Sequence, residues 1–176
     1  MSATTISMVT YALDYAKRGW HVLPLHTIEE DGTCSCGKTD CQHPSKHPVG
    51  HLVPQGSKDA TTDPQIIQQW WAGFPDANIG IATGHVSGIL VLDIDGDTGR
   101  ESLRELEAAH GRLSASYVVR TGSGGLHYYF LMPDADIRNS VAKLAPGLDI
   151  RANGGFVVAP PSRHRSGNRY EVIGDA

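Results

Sequence analysis

The stretch Ile89-Leu90-Val91-Leu92-Asp93-Ile94-Asp95-Gly96 constrains the chain more than any other. Four consecutive apolar residues describe a buried strand, and the Asp-x-Asp that follows marks the end at which it emerges; a period of two puts Asp93 and Asp95 on one face. Two carboxylates held this close repel each other unless a cation lies between them. The arrangement is therefore costly as pure structure and suited to Mg²⁺ or Mn²⁺. Such strand ends occur in polymerases, phosphatases and glycosyltransferases, and plain turns also use aspartates, so the motif alone leaves the chemistry open.

Around this strand the pattern predicts a mixed chain. Ser7 to Arg18 carries apolar residues at helical spacing and stops at Gly19, and Trp20 to Leu25 reads as a short strand. Thr62-Asp63-Pro64 opens a second helix with a cap and an early proline. Ile66, Ile67, Trp70 and Trp71 form its apolar face, with one tryptophan expected outward, and Gly73 and Pro75 end it. Asn78 to Ala82 is a strand that meets Ile89 to Ile94 through the turn Gly84 to Gly88. Asp97 or Thr98 caps a third helix that Gly111 closes. Strands follow at Tyr117–Arg120, Leu126–Leu131, Gly147–Arg151, Gly155–Ala159 and Tyr170–Ile173. Helices mixed with a strand-rich second half mean an α+β fold with mainly antiparallel pairing late in the chain.

With 176 residues, 40% hydrophobic and 19% charged, the chain is read as one domain spanning 1–176. It has no apolar run near the roughly 20 residues of a membrane span, and Met1 to Tyr15 lacks the layout of a secretory signal, so a soluble, cytoplasmic protein without membrane partners is expected. A net charge of −4 argues against a protein that holds nucleic acid by bulk electrostatics. The average conceals an asymmetry, because Arg138, Lys143, Arg151, Arg163, Arg165 and Arg169 face only Asp149 between Ile137 and Tyr170, whereas Glu29–Asp31 and Asp93–Asp97 are acidic.

His26 to Lys58 is rich in Gly, Pro, Cys and His and shows no period, and a loop of that length inside a compact fold needs support. Cys34, Cys36 and Cys41 are an odd, clustered set, poor as a disulfide framework and better as metal ligands. With His47 they can form a structural Cys3His zinc site within residues 29–50, and His43 competes as the fourth ligand. Three unrelated thiols are the alternative.

Three further segments carry chemistry. Thr121-Gly122-Ser123-Gly124-Gly125-Leu126-His127 combines glycines and hydroxyls that let backbone N–H groups approach an anion, with His127 directed toward the same loop; a plain glycine-rich hairpin would look the same. Asp149 in Gly147-Leu148-Asp149-Ile150-Arg151 can complete a carboxylate set for two-metal phosphoryl transfer, or form an ordinary surface pair with Arg151. Ala159-Pro160-Pro161-Ser162-Arg163-His164 presents hydroxyl, guanidinium and imidazole donors suited to a triphosphate.

Taken in this order, with Ala16-x-x-Gly19-Trp20-x-Val22-x-Pro24-Leu25, Ala60-Thr61-Thr62-Asp63-Pro64 and Asn78-Ile79-Gly80-Ile81 before them, these segments resemble the bifunctional DNA primase/polymerase N-terminal family of the archaeo-eukaryotic primase superfamily, found on plasmids, phages and integrated elements. The resemblance implies an RRM-like sheet with flanking helices and a zinc-binding loop. It implies that Asp93, Asp95 and Asp149 bind catalytic Mg²⁺ or Mn²⁺ and that His127 contacts the incoming nucleotide's phosphates. Thr121 stands where relatives place a serine, and Ser123, Gly125, Arg151, Ser162 and His164 are further nucleotide contacts. The Lys46-His47-Pro48 tripeptide favours His47 as the zinc ligand. The implied reaction is in-line attack of a primer 3′-hydroxyl, or of an initiating nucleotide, on the α-phosphate of a dNTP or NTP along a single-stranded DNA template, in replication of such an element. Family members usually continue into a C-terminal helical domain and often a helicase. A metal-dependent phosphohydrolase or nuclease, and a non-catalytic zinc-stabilised nucleic-acid-binding module, are the competing readings.

Overall fold

The computed structural model describes residues 7–175; Met1–Ile6 and Ala176, at the ends of the expected domain, lie outside the described residues. Helix α1 (Met8–Lys17) leads through Gly19 into strand β1 (Val22–Leu25). A long irregular segment, ending in a 3₁₀ turn at Gly56–Asp59, precedes helix α2 (Pro64–Gly73). Asp63 caps α2 by accepting a hydrogen bond from the Gln65 N–H at 2.8 Å, with Pro64 in the first turn as the sequence predicts. Strands β2 (Asn78–Ala82) and β3 (Ile89–Ile94), helix α3 (Gly96–His110), and strands β4 (Tyr117–Arg120), β5 (Leu126–Leu131), β6 (Ser140–Ala145), β7 (Leu148–Arg151), β8 (Phe156–Ala159) and β9 (Glu171–Asp175) complete the chain.

The strands form two antiparallel sheets, β1-β2-β8 and β6-β7-β3-β5-β4-β9. β2 and β3, neighbours in sequence, therefore belong to different sheets. Within the larger sheet the order β7-β3-β5-β4 is that of a split βαβ unit, with α3 as the crossover from β3 to β4 and β5 inserted between them.

Alternation along β3 divides the packing. Ile89 and Val91 join Tyr117, Val119 and Tyr129 in the main core, against the small sheet, α1 and α2, whereas Leu92 and Ile94 face Leu103 of α3 and Leu148. In the main core Trp20 stacks on Tyr15 and Tyr129 with ring centroids 5.8 and 5.6 Å apart.

Three sequence expectations are corrected. Both tryptophans of α2 are buried, at 9% and 3% exposure, and Trp71 donates its indole N–H to the Ala77 carbonyl at 3.0 Å, which removes the outward ring. Helix α3 begins at Gly96 with Asp95 as N-cap, earlier than Asp97 or Thr98. Strand β6 was not expected, because it lies at the sheet edge with its middle residues exposed and its register to β7 shifted, so neither burial nor alternation marks it.

Behind the β3 carboxylates, α3 presses directly on the turn before β7. A Cβ built on Gly99 would lie 2.4 Å from the Gly147 carbonyl oxygen, and the same carbonyl accepts the Asp95 N–H at 2.9 Å. Only glycine fits. Gly99→Ala should therefore destabilise the protein by about 1–3 kcal/mol through overpacking, read as a lower denaturation midpoint at unchanged slope.

Candidate active site

The register of the large sheet assembles the site. Asp93 of β3 stands opposite His127 of β5 on one side and Asp149 of β7 on the other, and Arg151 stands opposite Val91. Directly opposed residues of antiparallel strands share a face. Asp149, Asp93 and His127 thus form a row across three strands, on the face whose continuation, Val91 and Tyr129, is main core. Asp95 follows one step beyond the strand, exposed at the α3 N-cap. One carboxylate oxygen from each of Asp93, Asp95 and Asp149 lies within 4.8 Å of the others, close enough for a shared cation.

Hydrogen bonds orient the acids. The His127 Nε2 is 3.4 Å from Asp93 Oδ1; an ionised carboxylate only accepts, so Nε2 carries the proton. The other ring nitrogen, Nδ1, is buried without a partner among the described residues. His127 is therefore turned onto Asp93 and the Tyr170 ring, 6.0 Å away, and not toward the glycine loop. Asp149 accepts the Ala142 N–H at 2.9 Å through Oδ1 and Arg151 at 2.8 Å through Oδ2, and Arg151 also lies 3.6 Å from Asp93. At 8% exposure Asp149 is not half of a surface pair.

The charges respond differently. Burial opposes ionisation of Asp93, but the His127 hydrogen bond and the charges of His127, Arg151 and Lys46 outweigh it and hold its carboxyl below the usual range. Asp95 is pushed up, first by desolvation and then by repulsion from Asp93 and Asp149. A carboxylate raised in the folded state contributes stability below its unfolded pKa and loses it as pH rises through the folded value. Asp95→Asn should accordingly raise the Tm of metal-free protein at neutral pH, with the gain vanishing under acid conditions. Thermal melts across pH in chelator check this, and Asn keeps the N-cap preference intact.

The other predicted contacts separate. Thr121 and Gly125 close a tight turn, the Thr121 N–H donating to the Gly125 carbonyl at 2.9 Å, and the Thr121 and Ser123 hydroxyls lie 3.0 Å apart. The glycines answer packing demands: a Cβ on Gly125 would lie 2.6 Å from the Ile94 carbonyl oxygen, and one on Gly122 would lie 2.1 Å from His164 Cβ. His164 is buried, hydrogen-bonded through Nδ1 to Ser166 Oγ at 2.9 Å and packed edge-on against Tyr170. Ser162 departs from the expected triphosphate donor. It is fully buried, its Oγ accepting the Ile79 N–H at 2.9 Å, so the proline turn spends this hydroxyl on joining itself to β2.

The cysteine loop folds onto the same region. Cys34, Cys36, Cys41 and His47 place one ligand atom each within 4.8 Å of the rest. His47 Nε2 is 3.6 Å from Cys34 Sγ and 3.4 Å from Cys41 Sγ. A tetrahedral zinc with ordinary Zn–S and Zn–N bonds separates such atoms by about 3.6 Å, so the donor set fits zinc in chemistry and spacing. His26, to which the sequence assigns no partner, packs against His47 with the rings tilted by 37° and their centroids 4.6 Å apart, and bonds Ser35 Oγ through Nδ1 at 2.9 Å. The loop also forms a wall of a cleft of about 460 Å³, where His43, Lys46, His47 and Pro48 face Asp93, His127, Arg151 and Tyr170. Lys46 and Tyr170 were not singled out for the cleft from sequence; the one available signal was a cation adjacent to a candidate metal ligand.

Among the described residues, no helix is long and apolar enough to cross a membrane. No curated protein sequence matches the chain. The model of the family described as bifunctional DNA primase/polymerase, N-terminal, matches residues 12–176 and so includes both sheets, the carboxylate row and the cysteine loop. A family of nucleotidyl-transferring enzymes acting on DNA and nucleotides accords with a carboxylate row that could hold a cation beside a cleft lined by Lys46 and Arg151, and the chain belongs to the bifunctional DNA primase/polymerase N-terminal family.

Proposed function

We propose that this chain is a template-directed nucleotidyltransferase, a DNA primase or DNA polymerase catalytic unit with an archaeo-eukaryotic primase-like core. The observation that carries the reading is the row Asp149-Asp93-His127 across adjacent strands, with Asp95 beside it. The three carboxylates would hold divalent cations, Mg²⁺ or Mn²⁺. Held by Asp93, Asp95 and Asp149, such cations would supply Lewis acidity to an attacking 3′-hydroxyl and charge compensation to departing pyrophosphate. Arg151 and His127 flank the acids with donors that line the same cleft and suit phosphate oxygens. The Thr121–Gly125 turn supplies the exposed Ser123 hydroxyl, while the buried His164 supports Tyr170 and the glycine turn. No side chain is required as a nucleophile. The Cys3His group would hold zinc and fix the loop that closes the cleft.

A primer-extension assay with labelled primer on a single-stranded template, four dNTPs and Mg²⁺ or Mn²⁺ tests the proposal. Stepwise growth supports it. Strand cleavage or nucleotide hydrolysis without growth would move the same carboxylates to a phosphohydrolase or nuclease.

A further inference from the structure

Lys46 stands between two groups that have no reason to be linked if the cysteine loop is only a staple. It immediately precedes His47, whose Nε2 lies among the cysteine sulfurs, yet it lines the cleft that holds Asp93, His127 and Arg151. Its side chain is exposed and makes no hydrogen bond or ion pair among the described residues. It lines the cleft together with Asp93, His127, Arg151 and Tyr170, and its positive charge acts on Asp93, Asp95 and His164.

The backbone holds it there at a cost. Ser45 is fully buried and adopts φ 64°, a left-handed conformation that a side chain disfavours. Its carbonyl accepts Asn78 Nδ2 at 3.0 Å, and the same amide donates to the Arg163 carbonyl at 2.8 Å while its oxygen accepts the Arg163 N–H at 2.8 Å. Asn78, wholly buried at the end of β2, thus locks the residue before Lys46 to the turn that carries His164. On the other side, His47 is locked by its sulfur neighbours. A lysine without an ion-pair partner, set between two held residues and lining the cleft beside Asp93, matches the need for a cation that is free to answer phosphate.

We propose that Lys46 binds the triphosphate of the incoming nucleotide, and that the metal-binding loop thereby sets nucleotide affinity as well as its own stability. The inference rests on the nucleotidyl-transfer reading above. Arg151 is already bonded to Asp149, which leaves Lys46 as the lysine or arginine of the cleft lining without an ion-pair partner among the described residues.

The test is dNTP dependence of primer extension by wild type, Lys46→Met and Lys46→Arg, with dNTP binding measured separately on a dideoxy-terminated primer. Lys46→Met should raise the dNTP KM and Kd about tenfold or more with a smaller change in kcat, and Lys46→Arg should recover most of the loss, while zinc content and Tm stay at wild-type values in both. Unchanged dNTP affinity in Lys46→Met, beside a wild type that extends primers, would overturn this inference alone. A defect confined to the KM for primer–template would overturn it by assigning Lys46 to the DNA strand. Loss of zinc in both variants would overturn it by making Lys46 part of the loop's packing. A wild type that neither binds dNTPs nor extends primers would overturn the parent reading.

Discussion

Asp93→Asn should lower primer extension on the order of a thousandfold, beyond the ten- to hundredfold loss typical when only a supporting group of a metal ligand is removed. The change deletes one charge and almost nothing else. Asp93 is the middle of the row, its side chain only 14% exposed, and its other links are to His127 at 3.4 Å and Arg151 at 3.6 Å. An asparagine oxygen can still accept from both, so the sheet register should be retained, with a small loss of Tm at neutral pH because the fold favours the ionised carboxylate, while cation affinity falls. Asp149→Asn should also abolish extension, but with a larger cost in stability, because Asp149 holds the Ala142 N–H and Arg151 and thereby ties β6 to β7. Rates measured at several Mg²⁺ and Mn²⁺ concentrations beside thermal melts separate the two variants. Wild-type extension by Asp93→Asn at high Mg²⁺ and Mn²⁺ would refute the carboxylate assignment.

Removing the zinc proposed for the cysteine loop should be the most damaging change to the fold. Between β1 and α2 the chain has one short 3₁₀ turn and little regular hydrogen bonding, yet it delivers Val49 and Val53, both 1% exposed, into the protein interior. Its anchors to the rest are single hydrogen bonds and short bridges: the Val49 N–H donates to the Pro24 carbonyl at 3.0 Å, Thr61 and Val22 exchange backbone bonds at 3.0 and 2.9 Å, the Ser57 hydroxyl donates to the Gly154 carbonyl at 3.2 Å, and Asn78 bonds Thr27 and Ser45. Without a cation, three thiols and an imidazole crowd together with nothing to bind them. Chelation or Cys36→Ser should take zinc from about one per chain to none and lower Tm by roughly 10 °C or more, since each kcal/mol shifts Tm about 2–4 °C in a protein of this size. Limited proteolysis should then cut within residues 26–58. Retention of wild-type Tm and protease resistance after complete metal removal would show that the loop is held by packing alone.

These two sites differ in how far they could be read from the chain. The cysteine cluster is local: its four residues fall within fourteen positions, so spacing suffices to suggest a metal group, and the choice between His43 and His47 is the part that needs coordinates. The acids are local only in part. Asp93 and Asp95 are neighbours, but spacing does not put Asp149 beside them and only the family resemblance implied it, because that proximity depends on β7 pairing with β3 across the intervening β4, β5 and β6. Ser162 shows the opposite failure. A hydroxyl in a proline-rich loop suits a phosphate, and here the unsatisfied N–H of Ile79 claims it first.

Local elements and the chemical inventory are legible along the chain: apolar runs that end in aspartates, a capped helix at Asp63, glycines at turns, and a thiol cluster. Those follow from backbone sterics and from hydrophobic periodicity, which act over a few residues. Long-range packing alone sets that β2 and β3 enter different sheets, that an exposed edge strand β6 forms, that both tryptophans of α2 turn inward, and that Lys46 lines the same cleft as Asp93. Each of these depends on which distant segment competes for the same buried surface or the same hydrogen bond, and such competition is resolved only when the whole chain packs.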